Sequence, residues 1–303
     1  ALYDNPGLDM LALLCGSEGM LGIVTQVTVA LLPEPEKKSV ILAGFKQVTD
    51  AGNAVASIIG AGIIPAGMEM MDKLAVQAAE QFAHAGYPLD AAAILIIELD
   101  GAEAELSAVT AQVIDHLNAS GAYQIDQADD AETQARLWKG RKSAFPAVGR
   151  LSPDYICMDG TIPRHQLANV LTQIDELSER FGLAVANVFH AADGNLHPLI
   201  LFDANVPGQT DHAMAMGGEI LQCCVAAGGT VTGEHGIGVE KLDTMCVQFT
   251  SDELDQFFRI KDAMDPSGVL NPGKGIPTLT RCGELGGMHV HKGRLPFPEL
   301  ERF

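Results

Sequence analysis

With 303 residues, 47% of them hydrophobic, and a mean hydropathy of +0.15, the chain reads as globular and long enough for two cores. Its net charge of −20 repels nucleic acid and anionic membrane surfaces alike, so an anionic substrate has to be drawn in by a local basic cluster. No window has the length and apolarity of a membrane span and no signal peptide opens the chain, which predicts a cytoplasmic protein without direct membrane insertion; six cysteines lacking framework spacing predict reduced thiols.

The first stretch reads as the end of a domain whose larger part lies elsewhere. Asp9 to Leu14 predicts a short helix, Gly16 to Gly22 a loop with three glycines, and Ile23 to Leu32 a strand. Pro33-Glu34-Pro35-Glu36 cannot continue either element and marks a boundary. Strands then follow at Ser39–Phe45, Ile63–Met70, Ala92–Leu99 and Tyr123–Gln127, with helices at Thr49–Ala61, Asp72–Ala83 and Glu103–Ala119. A helical stretch from Glu132 to Arg150 carries Trp138, read as a core anchor, and the cluster Lys139-Gly140-Arg141-Lys142, whose guanidinium could grip a carboxylate bidentately.

The second half repeats the first: strand Tyr155–Asp159, helix Gln166–Phe181, strands Ala184–Ala191 and Leu196–Phe202, helix Thr210–Ala227, strand Thr230–Thr232. Each half is β-α-β-β-α-β. The expected fold is therefore α+β, two ferredoxin-like units joined in one antiparallel sheet with helices on one face. An amphipathic helix over Ser251–Met264, a loop from Asp265 to Lys274 and an aperiodic tail close the chain; His289 and His291 in that tail read as surface residues as readily as ligands.

Between the two strands of the second half, Asp193-Gly194 is a strong hairpin signal, because both central positions of a type I′ turn need positive φ. With those two as the loop, Ala192 pairs with Asn195 and His190 falls opposite His197, their Cβ atoms roughly 5 Å apart on one sheet face. Glu234, in the Gly-flanked turn Thr232-Gly233-Glu234-His235-Gly236, supplies a third ligand. Two imidazoles and a carboxylate leave coordination positions open, as catalytic metal sites do.

Taken together, Gly16-Ser17-Glu18-Gly19-Met20-Leu21-Gly22-Ile23-Val24-Thr25, the run from Phe189-His190 through Asp193-Gly194-Asn195 to His197, Gly233-Glu234-His235-Gly236-Ile237-Gly238 and Leu270-Asn271-Pro272-Gly273-Lys274 resemble the FAD-linked oxidases of the vanillyl-alcohol-oxidase type. Within that family the similarity points to flavoprotein subunits of bacterial glycolate oxidase, with D-lactate and D-2-hydroxyglutarate dehydrogenases as cousins. By that resemblance, residues 1–36 correspond to the C-terminal part of an FAD-binding domain, 37–275 to a substrate or cap domain and 276–303 to a tail. The metal ligands would be His190, His197 and Glu234, holding zinc in the first instance, iron or manganese otherwise. His235 would take the hydroxyl proton of a small 2-hydroxy acid and Arg141 its carboxylate. Ser17, Glu18, Gly19, Gly22, Ile23 and Val24 would lie along FAD, with Asn271 near its ring system.

The partners implied are other glycolate oxidase subunits, an iron–sulfur subunit among them, through which the protein would attach to the inner face of the membrane. Two departures stand out. Ala192 occupies a position where the family usually has glycine, so it either keeps ordinary φ or strains the turn. Nothing in the chain resembles the family's pyrophosphate-binding loop, so the chain alone is expected to hold FAD weakly and to lack activity by itself.

Overall fold

A near-continuous apolar run from Ser39 to Phe45, with Val40 and Ile41 β-branched, makes this stretch a strand, and its burial on both faces makes it central. In the computed structural model, which describes residues 7–277, it becomes β1 (Lys37–Phe45). The other strands are β2 (Gly67–Asp72), β3 (Ala93–Gly101), β4 (Ala122–Ala128), β5 (Asp154–Cys157), β6 (Val185–His190) and β7 (Pro198–Phe202). They form one antiparallel sheet in the order β4-β1-β3-β2-β6-β7-β5. The helices are α1 (Met10–Leu14), α2 (Val48–Gly60), α3 (Lys73–Ala83), α4 (Glu103–Ala119), α5 (Ala131–Lys142), α6 (Ala144–Val148), α7 (Leu167–Phe181), α8 (Gln209–Ala226), α9 (Met245–Gln248) and α10 (Ser251–Met264).

The sheet and its helices belong to one body, Thr28–His235; residues 7–27 and 236–277 form a second. Two ferredoxin-like units build the sheet. The first, in the order β4-β1-β3-β2, meets the second, β6-β7-β5, where β2 and β6 pair with Glu69 opposite His190, Met70 opposite Phe189 and Met71 opposite Val188. Helices α2, α4, α7 and α8 cover the face on which Ile41, Ala43, Phe45, Leu95 and Ile97 are buried. On the other face Leu42, Ile94, Ile96, Met71, Val188 and Leu199 pack under α3, α5 and α6, an additional layer contributed by the inserted helix and by the stretch between the halves. Trp138 packs against that core, as its reading as an anchor expects.

Two expected strands are replaced. Thr230–Thr232 contributes only a bridge between Thr230 and Thr161, because the amides that follow turn inward to the carboxylate of Asp159 instead of continuing a ladder. Ile23–Leu32 carries no regular structure, and Ile23, Val24, Val27 and Leu31 are 79%, 70%, 69% and 89% exposed. A strand needs a neighbour for its N–H and C=O groups, and no described strand pairs with this one. Cys15, Cys223 and Cys224 are free thiols. The expected tail, with His289 and His291, lies outside the described residues.

Candidate functional site

The β6–β7 hairpin brings the two histidines together by a different register from the one the turn signal predicts. His190 pairs with Asn195, N to O at 3.1 Å and O from N at 3.3 Å, and Val188 N donates to His197 O at 3.3 Å, so the loop is Ala191–Gly194, four residues and not two. A type I′ turn needs positive φ at both central residues, and here only Gly194 has it, at 73°. A Cβ on Gly194 would lie 2.2 Å from the Ile162 carbonyl oxygen, which makes glycine obligatory there. Ala192 keeps ordinary φ, so the strain considered at that position does not arise. The register differs by two residues. Because side chains alternate with a period of two, that difference leaves His190 and His197 on one face, now as diagonal neighbours with ring centroids 5.0 Å apart.

Glu234 completes the group. Its Oε1 lies 3.2 Å from His197 Nε2, 3.5 Å from His190 Nε2 and 3.7 Å from His235 Nε2. The His197 side chain is only 3% exposed, yet neither of its ring nitrogens has a hydrogen-bond partner, a costly arrangement unless a lone pair serves a cation. Burial, reinforced by the charge of neighbouring His190, pushes its pKa down to about 3, so the imidazole stays neutral and keeps a lone pair to donate. His235, 42% exposed at its side chain, stacks on His197 at 4.8 Å with 17° between the ring planes.

Glu69 was not singled out by sequence reasoning and ties the predicted residues together. Sitting opposite His190 across the β2–β6 pairing, it places Oε1 2.9 Å from His190 Nδ1, while its Oε2 accepts from Arg141 Nε at 3.0 Å and Nη2 at 2.7 Å. Burial raises its carboxyl pKa, but the hydrogen bond from His190 and the charge of Arg141 outweigh that and hold it below the usual range. An ionised carboxylate only accepts, so His190 carries a proton on Nδ1 and turns Nε2 toward Glu234. The same hydrogen bond raises the His190 pKa. Arg141 is buried and spends two of its five donors on Glu69, leaving Nη1 and the remaining Nη2 hydrogen for a second anion. The visible sign of this cluster was a carboxylate inside the apolar run Met68-Glu69-Met70-Met71.

Among the described residues two groups could hold a cation: His190 with His197 and Glu234, and Asp159 with His197 and His235, the donor atoms in each lying within 4.8 Å of one another. In the second group the carboxylate is already committed. Asp159 Oδ2 accepts from the amides of Gly233, Glu234 and His235 at 3.1, 2.7 and 2.6 Å, and Oδ1 accepts from Thr232 Oγ1 at 3.2 Å. The first group keeps its lone pairs, and its donor set suits zinc, iron or manganese.

In the other body the glycine-rich loop is held from within. Gly16, Glu18 and Gly19 have φ of 80°, 52° and 71°. The Glu18 carboxylate accepts from the amides of Ile237 at 2.7 Å and Gly238 at 2.8 Å, and Asn271 Nδ2 donates to the Glu18 carbonyl at 2.5 Å. Lys261 Nζ donates to the carbonyls of Met20 at 2.8 Å and Leu270 at 2.6 Å. Glu18 and Asn271, both expected beside a flavin, are thus brought together, with the Glu18 side chain occupied inside the protein. Ser17, Gly19 and Gly22 lie on the same loop, Ile23 and Val24 are exposed beyond it, and no atom lies within 4 Å of a Cβ built on Gly16 or Gly19, so the backbone there is accessible to a ligand.

Residues 34–275 match the family model described as FAD linked oxidases, C-terminal domain. The glycolate oxidase subunit GlcD of Escherichia coli strain K12 is 59% identical over 300 residues, spanning 99% of this chain and 60% of that protein. The subunit of the same name from Bacillus subtilis strain 168 is 34% identical over 271 residues, 89% of this chain and 58% of its own length. The chain therefore spans about 60% of the length of these curated relatives. Among solved structures, p-cresol methylhydroxylase with substrate bound superposes with a TM-score of 0.65 at 16% identity, over 82% of this chain and 54% of the other, a likeness of fold.

Proposed function

The chain belongs to the FAD-linked oxidases through their C-terminal domain, and on that premise we propose that it is the substrate- and metal-binding part of an FAD-dependent oxidoreductase that converts glycolate, a 2-hydroxy acid, to glyoxylate. Its resemblance to glycolate oxidase subunits supports the substrate. The observation that carries the reading is buried His197, with neither ring nitrogen hydrogen-bonded, its Nε2 3.2 Å from Glu234 Oε1 and its ring beside His190.

When bound, a divalent cation at His190, His197 and Glu234 would supply a Lewis acid for the substrate hydroxyl, and FAD would supply the acceptor for the hydride. The protein's own residues do the rest. Arg141, braced by Glu69, orients the substrate carboxylate with the donors that Glu69 leaves free. His235 Nε2 receives the hydroxyl proton; stacking on His197 fixes its ring while leaving its edge exposed. Ser17, Glu18, Gly19, Gly22, Ile23 and Val24 would offer backbone to the flavin, and Asn271 keeps the Glu18 turn in shape.

Residues 1–36 are proposed to end an FAD domain and 37–275 to form the substrate domain, before a tail at 276–303. No helix among the described residues is long and apolar enough to cross a membrane. We place the protein in the cytoplasm, reaching the membrane's inner face through other oxidase subunits, an iron–sulfur subunit among them. The test is calorimetric titration of the dialysed chain with Zn²⁺. One equivalent should bind, and Glu234→Gln should weaken binding about tenfold or more. Equal affinity in the two proteins, or no binding to the parent, would refute the reading.

A further inference from the structure

Asp159 is fully buried, and the three consecutive amides of Gly233, Glu234 and His235 converge on its single oxygen Oδ2. Successive N–H groups aimed at one point form the concavity that backbones use to bind anions. Here the anion is the protein's own carboxylate. Its backbone carbonyl also accepts from Gly233 N at 2.6 Å, so the turn is tied to both ends of the same residue.

The opposite side of the turn is closely packed. A Cβ on Gly233 would lie 2.3 Å from Asn195 Oδ1, and Asn195 pairs with His190 at the mouth of the hairpin. The turn is therefore bonded to Asp159 on one side and packed against the hairpin that carries both imidazoles on the other.

We propose that Asp159 is a positioning residue: its carboxylate clamps the 233–235 backbone so that the Glu234 side chain meets His190 and His197 while the His235 ring lies on His197. This rests on reading His190, His197 and Glu234 as cation ligands. It assigns to Asp159 an anchoring role in place of ligation. A neutral amide preserves the shape of the carboxylate but accepts three amides less strongly, so the clamp should loosen while the fold survives.

The test uses the whole chain and Asp159→Asn, titrated with Co²⁺ and followed by its visible absorption, with melting by circular dichroism and amide hydrogen exchange measured alongside. The clamp predicts about tenfold or greater loss of Co²⁺ affinity, an altered cobalt spectrum and faster exchange at residues 233–235 than in β1. A folded variant with parental affinity and spectrum overturns it. If the variant does not fold, exchange in the parent decides: protected amides at 233–235 support the clamp, and rates of unstructured chain overturn it. A parent that binds no Co²⁺ defeats the ligand reading instead, and the same three amides still decide the clamp.

Discussion

At Glu69 one carboxylate answers two donors, Arg141 and His190, and its removal should separate what each contributes. Glu69→Ala leaves the buried Arg141 guanidinium without its anion, an uncompensated charge that costs about 3–5 kcal/mol, readable by urea denaturation. Glu69→Gln keeps an acceptor for His190 but sets its amide N–H groups toward Arg141, and should lower metal affinity about tenfold or more through the lost orientation of His190. Unchanged stability in the first variant would mean that Arg141 is not held by this pair. Asp72 is a second partly buried carboxylate. Its Oδ1 caps α3 at Ala75 N, 2.9 Å, and its Oδ2 accepts from the backbone and side chain of Asn187 at 2.8 and 2.9 Å. Burial, aided by the negative charge of Asp175, raises its pKa from 3.8 to about 6. Between those values the folded state holds a proton that the unfolded state releases, so stability from this group is fully present below about pH 4 and is lost as pH rises through 6. The displacement corresponds to at most about 3 kcal/mol. Denaturation from pH 4 to 7 should therefore show a decline that Asp72→Asn flattens; parallel curves for the two proteins would refute it.

Elements carry the histidines, and the hairpin shows what a sequence discloses about them. The Asp193-Gly194 signal located the reversal and the alternation placed both imidazoles on one face, which survives a register change of two residues. The loop length was hidden because it depends on Ile162 and Thr161, some thirty residues upstream, whose backbone pairs with Gly194 and Asn195. Glu69 and Asp159 were hidden for the same reason: each acts on a partner that lies 72 to 121 residues away and becomes a neighbour only when β2 meets β6 or when the 233–235 turn folds inward. Long helices such as α4 and α10 were legible because their period and caps are local; Thr250 and Glu253 form a capping box at the start of α10. At this scale Gly194→Ala is the decisive change. It meets both a positive φ and the Ile162 carbonyl, so the loop must shift or the strands part. Expected outcomes are a loss of more than about 1 kcal/mol and weaker Zn²⁺ binding, both measurable on the purified variant. Parental affinity in Gly194→Ala would show that the hairpin loop does not set the imidazole pair.

For the molecule as a whole, an acidic chain of net charge −20 contains a site whose own balance is different, with Arg141 and three imidazoles set against Glu69 and Glu234. All of these groups, with Asp159, come from the Thr28–His235 body, while the glycine-rich loop and Asn271 belong to the other. A cation that binds the folded site and not the unfolded chain stabilises by mass action, about 2.7 kcal/mol at a free concentration one hundred times its Kd. For a body of this size that is a rise in Tm on the order of 5–10 °C. Zn²⁺ should produce that rise and EDTA reverse it, with the added hydrogen-exchange protection confined to the 28–235 body. His197→Leu supplies the control, because it fills the buried space with an apolar side chain and removes the two unpaired nitrogens. Its apo form should melt no lower than the parent and should not respond to Zn²⁺. A Zn²⁺-dependent rise retained in that variant would place the cation somewhere other than the imidazole pair.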